Sequence, residues 1–339
     1  MSELTNRKKA HVELTASGKA SYDYSTGMES VQFRHEALPE LNLSEISTEA
    51  VLLNRSFSMP LFISSMTGGY QGAIAVNEWI AAACERWNLP FGVGSQRAML
   101  VDSAQTESFS IVRKTAPSAF IASNIGACQL IKDTELADIQ RIIDCIEANA
   151  LIIHLNPLQE LMQTKGDTDF KGILKQIEFL CSSLTIPVIV KETGAGIHQR
   201  TAQKLVEVGV QVIDVAGAGG TSWAKVENLR KVESEQYSPF NNWGIPLKDC
   251  LDSFKGRNKN EYQLIASGGL KNALDCAKSI ALGADFTATA QPIIKALVDG
   301  GEEALEVLLQ KWHQELKLVL LLTGCGSVTE LSRDKLMLV

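Results

Sequence analysis

From residue 60 onward, brief apolar runs alternate with longer stretches whose apolar positions recur every three to four residues. The runs are PLFISS (60–65), PFGVGS (90–95), AFIASN (119–124), LIIHL (151–155), PVIVK (187–191), QVIDVAG (211–217), QLIASGG (263–269) and DFTATA (285–290). Each is apolar at consecutive positions, as a parallel strand covered by helices on both faces must be. Between them, 73–88, 135–149, 170–184, 198–209 and 270–283 read as amphipathic helices, with Gly209 and Gly283 placed as stops. Eight strands alternating with helices predict an α/β protein with a closed (β/α)8 TIM barrel. A doubly wound open sheet shares the alternation and is the structural alternative. The count of eight favours closure, as do the glycines and polar residues that follow so many strands.

Residues 1–50 are polar and irregular, which predicts an N-terminal arm with a short hairpin or extended segment. The chain reads as one domain over 1–339: arm and irregular segment 1–58, barrel 59–324, C-terminal tail 325–339. The stretch 217–262, after the sixth strand, is long for a strand-to-helix connection, and such insertions are usually functional or mobile. Residues 302–324 form an amphipathic helical pattern ending at Gly324.

Composition changes this picture little. The 339 residues are 45% hydrophobic and 21% charged, ordinary for a globular protein, and long enough to need no staple. A net charge of −7 argues against nucleic acid or an anionic membrane as partner, while leaving room for a locally positive cleft. Seven cysteines without a Cys-x-x-Cys pair fit a reducing compartment. With no apolar signal core near the start and no run long enough to span a bilayer, a cytoplasmic location is expected.

In a barrel the chemistry sits after the strands. The glycine-rich ends of the last three strands suit a phosphate cradle, because glycine lets backbone N–H groups approach an oxyanion. Gly268, Gly269, Leu270, Ala290 and Gln291 would form it, and Thr221 would add a hydroxyl. The plainer alternative is a set of tight turns. Lys191, ending PVIVK, is either a solvated lysine or a partner for an anion such as the N1/C2 edge of a reduced redox ring. Arg97, with Arg7 and Lys8 of the arm, supplies positive charge of the kind a diphosphate needs, though Arg7 and Lys8 by themselves read as an ordinary solvated tail. In HLNPLQE (154–160), Glu160 suits Mg²⁺, His154 can donate to an anion, and Gln159 can orient a proton without ionising. Alternatively this stretch is a helix start with a lone core histidine. No zinc spacing, phosphate-loop motif or nucleophile elbow occurs.

These pieces resemble one family, the type 2 isopentenyl diphosphate isomerases, which use FMN. The resemblance rests on RKKAH (7–11), FRHEALPEL (33–41), MTGG (66–69), VGSQR (93–97), SNIGA (123–127), HLNPLQE (154–160), VKETGAGI (190–197), GAGGTSW (217–223), NWGIP (242–246), SGGLKN (267–272) and LTGC (322–325), in order along the chain. It implies interconversion of isopentenyl and dimethylallyl diphosphate. FMN would contact Ser65, Met66, Thr67, Ser95, Asn124, Lys191, Thr221, Gly268, Gly269, Leu270, Ala290 and Gln291. The diphosphate would contact Arg7, Lys8, Ser95, Gln96, Arg97, His154 and Gln159, with Glu160 holding Mg²⁺. The resemblance also implies homo-oligomers, tetramers or octamers, and NADPH as the reductant that primes the flavin. Two positions depart from the family pattern: Ala216, where many members have serine, and Gly326, where many carry a bulkier polar residue.

The reaction so implied shifts a double bond without net oxidation. Reduced FMN would lie under the isoprenoid, Gln159 would assist proton transfer, and apolar walls including Trp223 would shield the five-carbon tail. Competing readings are a redox flavin barrel that oxidises its substrate stoichiometrically, and a flavin- or diphosphate-binding regulatory barrel.

Overall fold

The computed structural model of the protein describes residues 3–132, 134–231 and 238–338. The eight apolar runs form eight parallel strands: β1 (Leu61–Ile63), β2 (Phe91–Gly92), β3 (Ile121–Gly126), β4 (Ala150–Leu155), β5 (Val188–Glu192), β6 (Val212–Asp214), β7 (Gln263–Ala266) and β8 (Phe286–Thr289). Each pairs with its sequence neighbours, and β8 closes on β1 through Thr287↔Leu61, Ala288↔Phe62 and Thr289↔Ile63. The open-sheet alternative is thereby excluded.

Alternation of small and large residues fills the barrel interior. Ala122, Ala150 and Ala288 lie among Phe62, Ile152, Ile189 and Phe286 in one buried cluster, the layered packing that makes such a barrel solid rather than a pore. A second, larger cluster packs the strands' outer faces against the helices.

The expected hairpin exists, as Ala50–Leu52 paired antiparallel with Arg55–Phe57. Its turn uses Leu53 and Asn54 at φ 49° and 61°, the left-handed pair of a tight hairpin turn. The hairpin plugs the barrel's lower end. Phe57 meets Phe120 and Phe286 edge-to-face, with centroids 5.9 and 5.7 Å apart. The opposite, C-terminal end is left for chemistry.

The structure corrects one expectation and sharpens two. The arm is not irregular at its start: Glu3–Ala16 is a 14-residue helix. It consists mainly of good helix formers and lacks Gly and Pro, but it shows no apolar stripe, so periodicity could not find it. The C-terminal tail docks: Leu336–Leu338 pairs antiparallel with Val31–Phe33. The expected last helix follows a non-helical break at Gly300 and Gly301, the latter at φ 64°, and a further helix from Gln291 precedes that break. Among its described residues, the insertion after β6 holds two α-helices, Trp223–Leu229 and Leu247–Ser253. It is stitched to the arm through Tyr22, whose single hydroxyl proton is shared between Trp243 O at 3.0 Å and, on the loop after β5, Gly194 O at 2.9 Å. Among the described residues, no helix is long and apolar enough to cross a membrane.

Candidate active site

The C-terminal strand ends and the arm helix enclose a cavity of about 530 Å³, within the usual size range of small-molecule sites. His11, Val12 and Thr15 of the arm form part of its wall. Every strand contributes to it. Ser65, Met66 and Thr67 follow β1, Ser95 and Arg97 follow β2, and Asn124 lies within β3. His154, Gln159 and Glu160 come from β4 and the helix after it, and Lys191 from β5. Thr221 follows β6, Gly268, Gly269 and Leu270 follow β7, and Ala290 and Gln291 follow β8. Trp223 also lines the cavity.

Gln96 is the exception among the expected contacts. It is fully buried in the wall, and its amide donates to Ile142 O at 2.9 Å. Its Oε1 accepts from Ser123 Oγ at 2.5 Å and from Asn124 N at 3.1 Å. Those bonds tie β2 to β3 and occupy both ends of the amide, so it does not reach the cavity. The side chains of Arg7 and Lys8 lie outside the described residues; their backbone belongs to the arm helix.

The β4 end shows how the sequence builds the centre. Pro157 starts the helix Pro157–Met162, its fixed φ and missing N–H being tolerated in a first turn. That places Gln159 and Glu160 on the turn beneath the cavity. Glu160 Oε1 accepts from Asn156 Nδ2 at 3.0 Å, and Oε2 from Asp167 N at 3.0 Å. The carboxylate is fixed yet keeps free lone pairs. Gln159 Oε1 lies 3.3 Å from Asn156 Nδ2, while its Nε2 donates to Glu227 Oε1 at 3.1 Å.

Glu227, which sequence reasoning missed, is a buried carboxylate on the insertion helix Trp223–Leu229. It also pairs with His11 Nε2 at 2.9 Å and with Arg230. Burial pushes its pKa up, but the His11 hydrogen bond and charge, the Gln159 amide and Arg230 outweigh it and hold it down at about 2. In the sequence it is one glutamate in an ordinary helical stretch, with no local mark.

His154 Nδ1 lies 2.8 Å from Asn124 Oδ1. Burial, then the nearby Lys191 charge, lower its pKa to about 3, so the ring is neutral at physiological pH. A neutral imidazole carries one N–H, and its Asn124 neighbour decides which nitrogen bears it. Gly126 makes room for two side chains, since a Cβ there would run into Gln129 Oε1 and press on His154 Nε2 at 3.0 Å.

Lys191 is buried, and its Nζ donates to Glu192 O at 2.6 Å. The Glu192 carboxylate turns away and gathers the backbone N–H groups of Thr193, Gly194, Ala195 and Gly196. Burial raises its pKa against that pull. The motif VKETGAG is thus a carboxylate-wrapped loop whose Thr193 and Gly194 form cavity wall.

The glycine ends of β6 and β7 touch each other. A Cβ on Gly220 would stand 2.6 Å from Gly269 N, and one on Gly268 would run into Gly217. Together with the N-terminus of the long helix at Gln291 they form a backbone-lined cradle suited to a phosphate. Three buried oxygens in the cavity wall, Thr15 Oγ1, Ser65 Oγ and Asn156 Oδ1, have no protein partner among the described residues. Such atoms fit a polar ligand. This donor set suits a phosphorylated, amide-rich ring such as FMN. For a magnesium ion the protein offers one carboxylate, Glu160, and no group of three or more His, Cys, Asp or Glu among the described residues. That suits an ion completed by substrate phosphates and water.

A strand-ringed cavity with a phosphate cradle and a buried lysine defines a flavin-type barrel, and the profile of the FMN-dependent dehydrogenase family matches residues 147–338. Solved structures share the fold. A flavocytochrome b2 superposes with TM-score 0.71 at 18% identity, covering 97% of this chain and 82% of its own. An (S)-mandelate dehydrogenase gives 0.69 at 14%, covering 99% and 98%. Curated relatives are far nearer in sequence. The isopentenyl-diphosphate delta-isomerase of Chlorobium limicola is 42% identical, covering 100% of this chain and 97% of that protein. Its counterpart in Nostoc sp. is 41% identical, covering 98% and 95%. The chain belongs to the isopentenyl-diphosphate delta-isomerase family, in its type 2, FMN-using form.

Proposed function

We propose that this chain interconverts isopentenyl and dimethylallyl diphosphate with reduced FMN as a non-consumed cofactor and Mg²⁺ as counter-ion. The observation that carries the reading is Gln159, an amide locked between Asn156 and Glu227 at the edge of a cavity whose far wall is a glycine cradle. When bound, reduced FMN supplies an electron-rich ring able to exchange protons and to support developing positive charge.

The residues divide the remaining work. Gly268, Gly269, Leu270, Ala290, Gln291 and Thr221 hold the cofactor's phosphate. Ser65, Met66, Thr67, Ser95, Asn124 and Lys191 hold its ring. Lys191 would supply positive charge to balance the negative charge of a reduced flavin. Arg97, His154 and the arm's Arg7 and Lys8 take the substrate diphosphate. Glu160 holds Mg²⁺ against it. Gln159 orients the proton in transit: it donates and accepts without ionising, so it does not trap that proton. Trp223 and Val12 exclude water from the isoprenoid tail. NADPH serves only to prime the flavin, and the assembly is a tetramer or octamer.

The test is anaerobic incubation of dithionite-reduced, FMN-loaded protein with isopentenyl diphosphate and Mg²⁺. Dimethylallyl diphosphate should accumulate over many turnovers while the flavin spectrum stays reduced. Stoichiometric flavin oxidation would instead support a redox barrel, and equal turnover without FMN would refute the reading.

A further inference from the structure

The barrel interior changes character just below the cavity. Its inward residues there are apolar: Ala150 and Ile152 on β4, Ile189 on β5 and Val212 on β6. The next inward positions are His154, Lys191 and Asp214. They stand at one level, because the strand register pairs His154 with Lys191 and Lys191 with Asp214. Side chains alternate along a strand, so these three share the face opposite to Glu192. Lys191 and Asp214 are both buried, and Lys191 lines the cavity while Asp214 lies behind its wall.

A buried ammonium needs a counter-charge, or it gives up its proton. Lys191 Nζ donates to the Glu192 carbonyl, which satisfies a hydrogen and cancels no charge. Three titratable groups feel the lysine's charge: His154, Glu192 and Asp214. His154 is neutral. The Glu192 carboxylate is engaged by four backbone N–H groups on the other face. Asp214 remains. Burial raises its pKa, and Lys191 is foremost among the groups that oppose the rise. Its Oδ1 accepts from Ser267 Oγ and, at 3.2 Å, from Ala216 N. Those two bonds fix the carboxylate from β7 and from the loop after β6. We propose that Asp214 is a positioning residue for Lys191: the carboxylate on the lysine's own face of the barrel keeps it a cation where it borders the cavity. This rests on the reading of Lys191 as an FMN contact and adds the group that maintains its charge.

Two measurements test it. In the first, apoprotein is titrated with oxidised FMN from about pH 6 to about pH 9, below the ordinary lysine pKa of about 10.4. The unaltered protein should bind with one affinity throughout. Asp214→Asn keeps an acceptor for Ser267 and Ala216 but removes the charge. Its affinity should fall at least about tenfold toward the alkaline end, the effect of a lysine losing its proton inside this range. There it should reach the level of Lys191→Met, which is weaker at every pH and flat. Ser267→Ala, which removes a hydrogen bond and no charge, should keep the flat profile. A flat Asp214→Asn profile overturns the proposal, even if binding is uniformly weaker.

The second measurement needs no flavin. Each single variant buries one unpaired charge, whereas Asp214→Asn with Lys191→Met buries none. In apoprotein thermal melts the double variant should be more stable than either single variant. A double variant no more stable than the singles overturns the pair. If Lys191→Met binds FMN as tightly as the unaltered protein, the flavin reading of Lys191 fails, and the melts alone decide whether Asp214 is its counter-charge.

Discussion

Gln159 Nε2 and Glu227 Oε1 stand 3.1 Å apart, joining the helix after β4 to the insertion after β6. The same Glu227 oxygen meets His11 Nε2 at 2.9 Å, so one buried carboxylate connects the arm to the proposed proton-handling amide. An ionised carboxylate can only accept. It therefore orients the Gln159 amide, with Nε2 toward Glu227 and Oε1 toward Asn156. Glu227→Gln supplies a group that can donate or accept and loses that constraint. We expect kcat to fall at least about tenfold, the loss of one charge-assisted hydrogen bond, with FMN loading near normal. Steady-state kinetics on the reduced holoenzyme and flavin absorbance check both parts.

The same carboxylate sets an acid limit. Its pKa falls from an ordinary 4.5 to about 2. A depressed folded-state pKa gives stability that is full above 4.5 and drains away as pH falls toward 2, worth about 3 kcal/mol by linkage. Denaturant melts between pH 5 and 2.5 should show Glu227→Gln less pH-sensitive than the unaltered protein.

His154 works in the same direction at higher pH. Its folded pKa of about 3 lies below the ordinary 6.5. The unfolded chain takes up this proton first, so stability is lost as pH falls from 6.5 toward 3. NMR of the ring should show no protonation of His154 down to pH 4. A ring that titrates near 6.5 would remove the neutral-donor role.

Gly268 sits at φ 100°, and any Cβ there would strike the Gly217 backbone. Gly268→Ala should cost about 1–3 kcal/mol from the backbone strain alone, and should reduce FMN loading more than it lowers the melting temperature of the apoprotein. Equilibrium dialysis and thermal melts, with and without FMN, separate the two.

Glu160→Gln keeps the shape and the Asn156 contact but removes the charge. The Mg²⁺ concentration for half-maximal activity should rise at least about tenfold, with FMN affinity unchanged, since a magnesium site needs its carboxylate. A metal titration identical to the unaltered protein's would remove Glu160 as the ligand.

Much of the site was legible because barrel chemistry follows strand ends. Once PVIVK and LIIHL are strands, Lys191 and His154 sit on or at the rim, and Gln159 and Glu160 follow one turn later. Gln96 misled because its neighbours Ser95 and Arg97 do face the cavity. Adjacent residues in a tight turn point to opposite sides, and no sequence pattern says which is buried. Glu227 was invisible for a related reason. It lies in an ordinary helix and matters only through partners dozens of residues away, Gln159 and His11.

Period and punctuation alone fixed eight strands, the helices between them and the glycine ends that leave backbone exposed, because those depend on nearest-neighbour sterics and on burying apolar runs. The arm's helix, the docked tail, the inward turn of Gln96 and the buried Glu227 carboxylate were decided by tertiary structure. They arise from surfaces that exist only after the barrel closes, where a buried polar atom must find its partner wherever the chain has placed one.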